Sequence, residues 1–261
     1  MDMDRLVATM RRLALAGGEA IMEVYGSGDL GVEAKADDSP VTRADKAADA
    51  VISAGLREAF PDVALVTEEQ AATHSKVADR FLIVDPLDGT KEFVRRRGDF
   101  TVNIALVEDG APVRGVVYAP ARRRLFYTDA SGASVEEEGP FGRAPGRTTP
   151  LQAAHPGGPL RVVASKSHRD AATDAYIARY DVAGIVSAGS SLKFCLVAAG
   201  EADLYPRFGP TMEWDTAAGD AVLRGAGGRM IDLGTGGTFR YGKPGYRNGS
   251  FLAHGPGVAP R

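Results

Sequence analysis

Residues 81–90 read Phe-Leu-Ile-Val-Asp-Pro-Leu-Asp-Gly-Thr, an apolar run that leads into two acids three positions apart. Its four apolar residues predict a buried strand, and the proline predicts a tight turn directly after that strand. The turn brings the carboxylates of Asp85 and Asp88 close together and leaves the carbonyl of Leu87 free to join them. Hard divalent cations such as Mg²⁺ prefer oxygen ligands of this kind, completed by phosphate and water. The stretch is therefore a candidate metal loop.

The end of the stretch offers a second kind of group. Gly89 and Thr90 have unhindered backbone N–H groups that can bind phosphate oxygens, more so if a helix begins there. A loop that combines both features suits metal-assisted phosphoryl hydrolysis. Asp-Pro and Asp-Gly are also common in ordinary turns, so the loop alone leaves both interpretations open.

The composition limits the class of protein. A chain of 261 residues suits one large domain or two coupled halves. Its hydrophobic content of 44% and charged content of 25% are ordinary for a soluble globular protein. The net charge of −3 argues against an electrostatic grip on nucleic acid, so a phosphorylated substrate must be attracted locally. Cys195 is the only cysteine, which excludes an internal disulfide.

The hydropathy of the chain predicts a cytoplasmic location. No apolar run approaches the roughly 18 residues of a membrane span, and residues 1–6 lack the basic-then-apolar plan of a signal peptide. Leu6, Met10, Leu13 and Ile21 instead fall at helical spacing and predict an amphipathic helix. We expect no integral membrane span and no nucleic-acid partner, and peripheral association with the inner membrane is left open.

The first half of the chain shows helices followed by a run of strands. A polar turn is expected over residues 35–40 and a helix over residues 42–60, ended by Pro61. Short strands are expected over residues 63–66, 81–85, 101–107, 113–118 and 125–128. Asp109-Gly110 between two of them predicts a hairpin. This order favours a largely antiparallel sheet.

The second half alternates between strands and helices, which is typical of α/β layering. Strands are expected over residues 161–164, 183–187 and 203–205, and helices over residues 170–180, 191–199 and 214–224. Residues 129–160 are rich in glycine and proline and carry the acids Glu136-Glu137-Glu138, so they are the best candidate for a boundary or a long surface excursion. We therefore predict an N-terminal α+β half, residues 1–150, with the metal loop, and a C-terminal α/β half, residues 151–261.

Three acids elsewhere in the chain can be placed around the metal loop. Glu68 follows a predicted strand and can face the same crevice, or it is a solvated loop acid. Asp45 has capping-box spacing to Thr42. In the functional interpretation Asp45 instead orients the hydroxyl of Thr90, which helps to deprotonate water. Asp215 opens a predicted helix, where it is either an N-cap or a metal ligand from the second half.

Basic residues in the second half are candidates for phosphate recognition. The segment Gly189-Ser190-Ser191-Leu192-Lys193 starts a predicted helix, and Arg207 follows soon after it. Lys193 and Arg207 can each pair with phosphate, and the alternative is a capped helix with surface cations. Arg95-Arg96-Arg97 is typical of a solvated charge run, and its other interpretation is a guide for phosphate.

Together these motifs resemble those of the inositol monophosphatase superfamily. The resemblance lies in Asp85-Pro-Leu-Asp-Gly-Thr90, with Glu68 upstream and Trp214-Asp-Thr-Ala-Ala-Gly219 downstream, and it covers essentially the whole chain. Five segments are similar to the bacterial 3'(2'),5'-bisphosphate nucleotidases of this superfamily: residues 35–42, 89–93, 98–104, 190–195 and 204–210. Inositol monophosphatases typically carry Thr-Asn in place of Lys91-Glu92. The resemblance implies a Mg²⁺-dependent, lithium-sensitive phosphatase of the α/β (α+β) class, with a layered αβαβα sandwich.

The resemblance also implies a role for individual residues. One Mg²⁺ would be held by Glu68, Asp85 and the Leu87 carbonyl, and a second by Asp85, Asp88 and Asp215, with Glu68 reaching toward a third. The catalytic residues would be Asp45, Thr90 and Glu68. The substrate would contact Glu68, Leu87, Asp88, Gly89, Thr90 and Asp215 near the scissile phosphate, and Ser190, Lys193 and Arg207 near the nucleotide. Ser167 and His168 are weaker candidates for nucleotide contacts.

The reaction that the resemblance implies is hydrolysis of adenosine 3',5'-bisphosphate to AMP and phosphate by metal-activated water, in support of sulfate assimilation. The nearest alternatives keep this chemistry but act on inositol phosphate, histidinol phosphate or fructose 1,6-bisphosphate. An alternative of another class is a catalytically silent nucleotide-binding protein. A homodimer is also implied, because the superfamily is usually dimeric.

Overall fold

The computed structural model describes residues 1–34, 40–75, 78–165 and 169–261, so most of the predicted polar turn at 35–40 lies outside the described residues. The helices are α1 (Met3–Gly26), α2 (Arg43–Ala59), α3 (Thr90–Val94), α4 (Ala171–Ile177), α5 (Leu192–Ala198) and α6 (Ala217–Gly225). The strands are β1 (Glu33–Ala34), β2 (Pro40–Val41), β3 (Ala64–Thr67), β4 (Arg80–Asp88), β5 (Thr101–Glu108), β6 (Ala111–Ala119), β7 (Arg124–Thr128), β8 (Ser134–Glu137), β9 (Thr148–Pro150), β10 (Leu160–Ser165), β11 (Val182–Ala188), β12 (Leu204–Arg207), β13 (Thr211–Met212), β14 (Arg229–Asp232), β15 (Arg247–Asn248) and β16 (Phe251–His254). Short 3₁₀ turns lie at Ala71–Thr73, Pro120–Arg122, Glu213–Asp215 and Pro244–Tyr246.

The described strands form two main sheets. The first has seven strands in the order β3-β4-β5-β6-β7-β8-β9, and the second has five in the order β11-β10-β12-β16-β14. In the first sheet only β3 and β4 are parallel, which confirms the predicted antiparallel character. The predicted hairpin joins β5 and β6, and its residues Asp109 and Gly110 have the positive φ angles of 49° and 74° that a tight two-residue turn needs.

Strand β4 shows how the layers are held together. Successive side chains of a strand point to opposite faces of the sheet. Leu82 and Val84 join an apolar cluster with α1 and α2, whereas Phe81 and Ile83 join a second cluster with α5, α6 and the five-stranded sheet. A third cluster covers the other face of the five-stranded sheet with α4. The layers therefore follow the order helices, sheet, helices, sheet, helix, which confirms the αβαβα prediction.

Helix α2 begins where its capping signal predicts. The Thr42 N–H donates to Asp45 Oδ2 (2.7 Å), and the Ala44 N–H donates to Thr42 Oγ1 (3.1 Å). These bonds satisfy donors that the first turn of a helix leaves without partners. The helix ends two residues before Pro61, again as predicted. Among the described residues, no helix is both long enough and apolar enough to cross a membrane.

Part of residues 129–160 belongs to the first sheet rather than to a boundary. Strand β8 pairs antiparallel with both β7 and β9, so the sheet continues through this segment. Glu137, one of the acids assigned to a surface excursion, is buried in an ion pair with Arg11 of α1. The composition was misleading because β9 is short and fully exposed and β8 carries its buried acid on the inner face. The division into halves at residue 150 stays a prediction, and both halves contribute to the cluster between the sheets.

Candidate active site

The metal loop is the end of β4, which lies between β3 and β5. The pairing of β4 with β5 shifts register between Asp85 and Asp88, so the chain bends there. The Leu87 N–H donates to Asp85 Oδ1 (3.1 Å) within this bend. Gly89 follows in the left-handed region with φ of 93°, which favours glycine, and α3 begins at the next residue.

Three carboxylates from both halves of the chain meet at this bend. One oxygen each of Asp85, Asp88 and Asp215 lies within 4.8 Å of the other two. Burial raises the pKa of Asp88 to about 6. Burial, and then the neighbouring carboxylates, also raise the pKa values of Asp85 and Asp215 well above their usual range. Closely spaced acids that repel one another are stabilised by a cation, and this set of hard oxygen donors fits Mg²⁺.

Asp215 does not open α6 as the sequence predicted. It ends a 3₁₀ turn, Glu213–Asp215, and α6 begins only at Ala217 with Thr216 as its N-cap residue. The reason is that Asp215 Oδ2 accepts a hydrogen bond from the Met212 N–H (2.7 Å), three residues earlier. The carboxylate is thereby fixed in the turn, where it lines the same pocket as the metal loop.

Glu68 lies beside the carboxylate cluster. Its N–H donates to the Val84 carbonyl (3.1 Å), which continues the pairing of β3 with β4 by one residue. Its carboxylate faces Asp85, and its charge adds to the rise of the Asp85 pKa after burial. Glu68 also lines the pocket shared by Asp88 and Asp215. The fold therefore brings together all four acids expected to hold metal.

Asp45 and Thr90 are in contact, as the functional interpretation of Asp45 required. The Thr90 hydroxyl donates to Asp45 Oδ1 over 3.2 Å, and it also lies 3.4 Å from the Leu87 carbonyl. Asp45 is buried at the start of α2, with 1% of its surface exposed. The capping box and the contact with Thr90 are therefore both present.

Two polar residues that the sequence did not single out hold Asp88 in place. Asp88 Oδ2 accepts the Ser191 N–H (2.7 Å) and the Asn103 side-chain amide (3.3 Å). The Ser191 hydroxyl donates to the Asp215 carbonyl (2.5 Å) and accepts from the Asn103 amide (3.0 Å). Ser191 thus joins the metal loop to the second half of the chain. The available signal was an asparagine within the otherwise apolar run Val102-Asn103-Ile104.

Lys193 is buried next to the carboxylates rather than exposed on the surface. Its side chain donates to the Ser190 carbonyl (2.6 Å) and lies 5.2 Å from the centre of the Tyr205 ring. Burial lowers the pKa of Lys193 to about 8, although the charge of Asp88 acts in the opposite direction. The alternative interpretation of Lys193 as a surface cation is therefore wrong, because every residue of α5 is buried.

Ser190 and Arg207 line the same pocket as Lys193. The Ser190 hydroxyl is buried and has no hydrogen-bond partner among the described residues, so it has capacity for a ligand. Arg207 donates to the carbonyls of Gly209 (3.2 Å) and Pro210 (3.1 Å), which fix its direction. A guanidinium held in this way presents a preset positive charge to an anion.

The pocket has a volume of about 600 Å³ and lies among segments that connect the strands of the two sheets. Its lining includes the site residues Glu68, Asp88, Asp215, Ser190, Lys193 and Arg207, but not Asp45 or Asp85. The other lining residues are Pro40, Gly89, Thr90, Lys91, Glu92, Ser165, Arg169, Asp170, Gly189, Phe194, Tyr205, Gly209, Pro210, Thr211 and Thr216. Asp88 and Asp215 line the pocket together with Lys193 and Arg207, so the pocket suits a negatively charged ligand that contacts both metal and basic side chains. Its size is typical of small-molecule sites.

Some candidate residues fall outside this arrangement. Ser167 and His168 lie outside the described residues. In the arginine run, Arg96 donates to the carbonyls of Tyr25 and Ser27 at the end of α1, and Arg95, Arg96 and Arg97 do not line the pocket. Arg96 therefore ties α3 to α1, and the structure gives no contact between the arginine run and the pocket.

The layered fold with a carboxylate cluster at the end of β4 places the chain among metal-dependent phosphoesterases. The model of the inositol monophosphatase family matches residues 2–258. The chain therefore belongs to the inositol monophosphatase family, which confirms the resemblance predicted from its motifs.

The more similar relatives are bacterial nucleotidases. The chain is 48% identical to the 3'(2'),5'-bisphosphate nucleotidase CysQ of Escherichia coli K12 over 227 residues, 85% of this chain and 88% of that protein. It is 40% identical to CysQ of Buchnera aphidicola over 233 residues, 88% of this chain and 85% of that protein. The crystal structure of CysQ from Bacteroides thetaiotaomicron, 36% identical, superposes with a TM-score of 0.82 over 98% of both chains. Inositol monophosphatase from Anabaena, 23% identical, shares the fold with a TM-score of 0.75 over 97% of this chain and 91% of that one.

Proposed function

We propose that this protein is a Mg²⁺-dependent 3'(2'),5'-bisphosphate nucleotidase that hydrolyses adenosine 3',5'-bisphosphate to AMP and phosphate. The observation that carries the proposal is the cluster of Asp85, Asp88 and Asp215 beside a pocket that Asp88 and Asp215 line together with Lys193 and Arg207. Membership of the inositol monophosphatase family supports phosphatase chemistry. The similarity to CysQ over most of the chain supports the nucleotide as substrate.

The acids of the cluster would hold two Mg²⁺ ions. Glu68, Asp85 and the Leu87 carbonyl would bind one, and Asp85, Asp88 and Asp215 the other; Glu68 is also the candidate for a third. When bound, Mg²⁺ would acidify water and neutralise charge on the phosphoryl oxygens. Neighbouring carboxylates add to burial in raising the pKa values of Asp85 and Asp215, so a cation between them would stabilise their charged forms.

Thr90 and Asp45 would orient the attacking water. Asp45 accepts a hydrogen bond from the Thr90 hydroxyl. The lone pairs of Thr90 Oγ1 are therefore left to accept a hydrogen bond from water. This arrangement holds the water in one direction relative to the phosphate, as an in-line displacement requires. The N–H groups of Gly89 and Thr90, at the start of α3, would bind oxygens of the scissile phosphate.

The basic side chains of the pocket would recognise the nucleotide. The free hydroxyl of Ser190 and the charges of Lys193 and Arg207 suit a second phosphate group. A bisphosphate carries a second phosphate group whose charge the metal ions at the first would not balance. Lys193 and Arg207 would balance it, so they favour a bisphosphate over an inositol monophosphate. The physiological part of the proposal, removal of a by-product of sulfate assimilation, rests on the resemblance to the nucleotidases.

The test is phosphate release by the purified protein with Mg²⁺. Adenosine 3',5'-bisphosphate would be compared with inositol 1-phosphate and fructose 1,6-bisphosphate. We expect a kcat/KM ratio of about a hundredfold in favour of the nucleotide, which corresponds to about 2.7 kcal/mol of differential transition-state binding. A preference for a sugar or inositol phosphate would overturn the substrate but keep the metal chemistry. No release from any substrate would favour the silent nucleotide-binding protein.

We also propose that the protein forms a homodimer through the edge strand β11. Among the strands of the described residues, β11 pairs along one edge only, with β10, and its other edge is open. Residues 182–188 carry no charge, and Ile185 and Val186 are 41% and 48% exposed. Such an edge is a template for pairing with another chain. Light scattering should give twice the chain mass, and Val186→Lys should give the mass of one chain; a monomeric wild type would contradict the proposal.

A further inference from the structure

Asp49 lies one helical turn after Asp45 on α2, and its carboxylate is surrounded by hydrogen-bond donors. It is 6% exposed, and its carboxylate accepts three hydrogen bonds from side chains. The donors are the Thr67 hydroxyl (2.5 Å), the Gln70 amide (2.7 Å) and the Ser53 hydroxyl (3.1 Å). No cation among the described residues forms an ion pair with it. Burying a carboxylate without a cationic partner costs free energy of desolvation. A role in ordering the residues that donate to Asp49 would account for its burial.

Two of the three donors flank Glu68. Thr67 is the residue before it, and Gln70 is two residues after it. The amide of Gln70 has a defined orientation, because its oxygen accepts from Arg57 and its nitrogen therefore faces Asp49. Asp49 thus accepts hydrogen bonds from residues on both sides of Glu68. It lies on the same face of α2 as Asp45, which contacts Thr90.

These contacts matter because the Glu68 carboxylate is repelled by the neighbouring carboxylates of the cluster. Its carboxylate faces Asp85, and two carboxylates in contact repel each other when both are charged. Glu68 is only partly buried, so without a tether its segment can relieve the repulsion by turning toward solvent. Thr73 holds the backbone of both Thr67 and Gln70, and the Thr67 carbonyl also contacts the His74 ring. Asp49 adds the side-chain contacts on both sides of Glu68.

We propose that Asp49 is a positioning residue that holds Glu68 in the direction required for metal binding. The proposal rests on the metal site of the proposed function. Asp49 touches neither the carboxylate cluster nor the pocket lining, so it acts only through Thr67 and Gln70. Residues that orient metal ligands from behind commonly change metal affinity by ten- to a hundredfold when they are removed.

The test measures metal binding directly, without substrate. Mn²⁺ would be titrated into metal-free protein and free Mn²⁺ followed by electron paramagnetic resonance. We expect Asp49→Ala to weaken Mn²⁺ binding by about tenfold or more. Asp49→Asn should fall between wild type and Asp49→Ala, because its oxygen can still accept from Thr67 while its NH₂ group opposes the Gln70 amide. Ser53→Ala is the matched control, since it removes the one partner of Asp49 that lies on α2, and it should bind Mn²⁺ as wild type does.

A purely structural role gives a different result. Asp49→Ala would then lower the melting temperature but bind Mn²⁺ with wild-type affinity, and this outcome would overturn the proposal. If Asp49→Ala does not fold, Thr67→Val combined with Gln70→Leu removes the same contacts from the other side and should weaken Mn²⁺ binding in the same way. Asp88→Asn should lose Mn²⁺ binding more strongly. Wild type that binds Mn²⁺ through Asp88 but releases no phosphate would defeat the proposed function while leaving the role of Asp49 testable by the same titration.

Discussion

The Thr90 hydroxyl lies 3.2 Å from Asp45 Oδ1, while Asp45 Oδ2 accepts both the N–H and the hydroxyl of Thr42. The same carboxylate therefore starts helix α2 and orients a residue of the metal loop. From the sequence these were alternative interpretations of Asp45, but the two oxygens of one carboxylate serve both. The helix cap supplies the rigidity with which the acceptor for Thr90 is held, because α2 packs against the sheet that carries the loop.

Replacing Thr90 by valine tests the role of its hydroxyl. Valine keeps the branched shape and removes only the oxygen, so we expect kcat to fall by about a hundredfold or more while metal affinity stays the same. Thr90→Ser keeps the hydroxyl and should retain most of the activity. Steady-state phosphate release at saturating Mg²⁺ is the measurement. Activity of Thr90→Val within about threefold of wild type would remove Thr90 from the mechanism.

Replacing Asp88 by asparagine separates metal binding from folding. The change should reduce turnover by about a thousandfold even at saturating Mg²⁺, because a ligand charge is lost from the cluster. The metal-free variant should be at least as stable as wild type at neutral pH, since burial already disfavours the charged form of Asp88. Phosphate release and thermal unfolding in a chelator measure the two effects. Near-normal hydrolysis by the variant would overturn the assignment of Asp88.

Much of the site could be predicted because its signals are local. The strand and turn at residues 81–90 and the capping spacing of Asp45 are each contained in a few residues, and tertiary packing preserved them. Local patterns of this kind are also why α2 and the β5–β6 hairpin lie where they were expected. The layered order followed from the resemblance, and it agrees with the two-faced apolar pattern of β4.

The parts that could not be predicted depend on contacts between distant segments. Asp49 resembles any solvated helix acid until β3 is placed beside α2, and nothing in its own neighbourhood in sequence names Gln70 as a partner. The sequence named Lys193 as a candidate for phosphate binding, but its burial appears only when α5 is enclosed between the sheets. Glu137 looks like part of an acidic surface run, but β8 turns it inward toward Arg11. In each case a charged side chain that is typical of the surface in the sequence is buried by contacts with a distant segment.

Stability should depend on pH and Mg²⁺ together. The pKa of Asp88 is raised from its ordinary 3.8 to about 6, and those of Asp85 and Asp215 are raised as well, chiefly by burial. Raised values stabilise the folded state below pH 3.8, and this contribution is lost as the pH rises through about 6. Metal requires the deprotonated acids, so its affinity changes in the opposite direction.

The increase in melting temperature caused by Mg²⁺ should therefore be small at pH 5 and larger at pH 7.5. Thermal unfolding with Mg²⁺ and with a chelator at both pH values measures this difference. Asp88→Asn is the control, and its increase should be small at both pH values. An increase of the same size at pH 5 and pH 7.5 in wild type would show that the cluster does not bind the metal.

The ion pair between Arg11 and Glu137 should stabilise the fold without affecting catalysis. Arg11 Nε and Nη2 donate to the two oxygens of Glu137 over 2.6 and 2.5 Å, and the side chains are 3% and 0% exposed. Arg11 also donates to the carbonyls of Gly142 and Ala144, so it holds the segment after β8 against α1. Arg11→Met leaves Glu137 buried without its partner, which typically costs about 3–5 kcal/mol.

Urea unfolding of Arg11→Met should show this loss, whereas kcat at saturating Mg²⁺ should stay within about twofold of wild type because neither residue lines the pocket. The double variant Arg11→Met with Glu137→Leu removes both charges and should recover a large part of the lost stability, since the main penalty is the unpaired carboxylate. If the double variant is as unstable as the sum of its single variants, the contribution of Arg11 comes from its bonds to Gly142 and Ala144 instead. The ion pair would then add little, and the carbonyl contacts alone would fix the segment to α1.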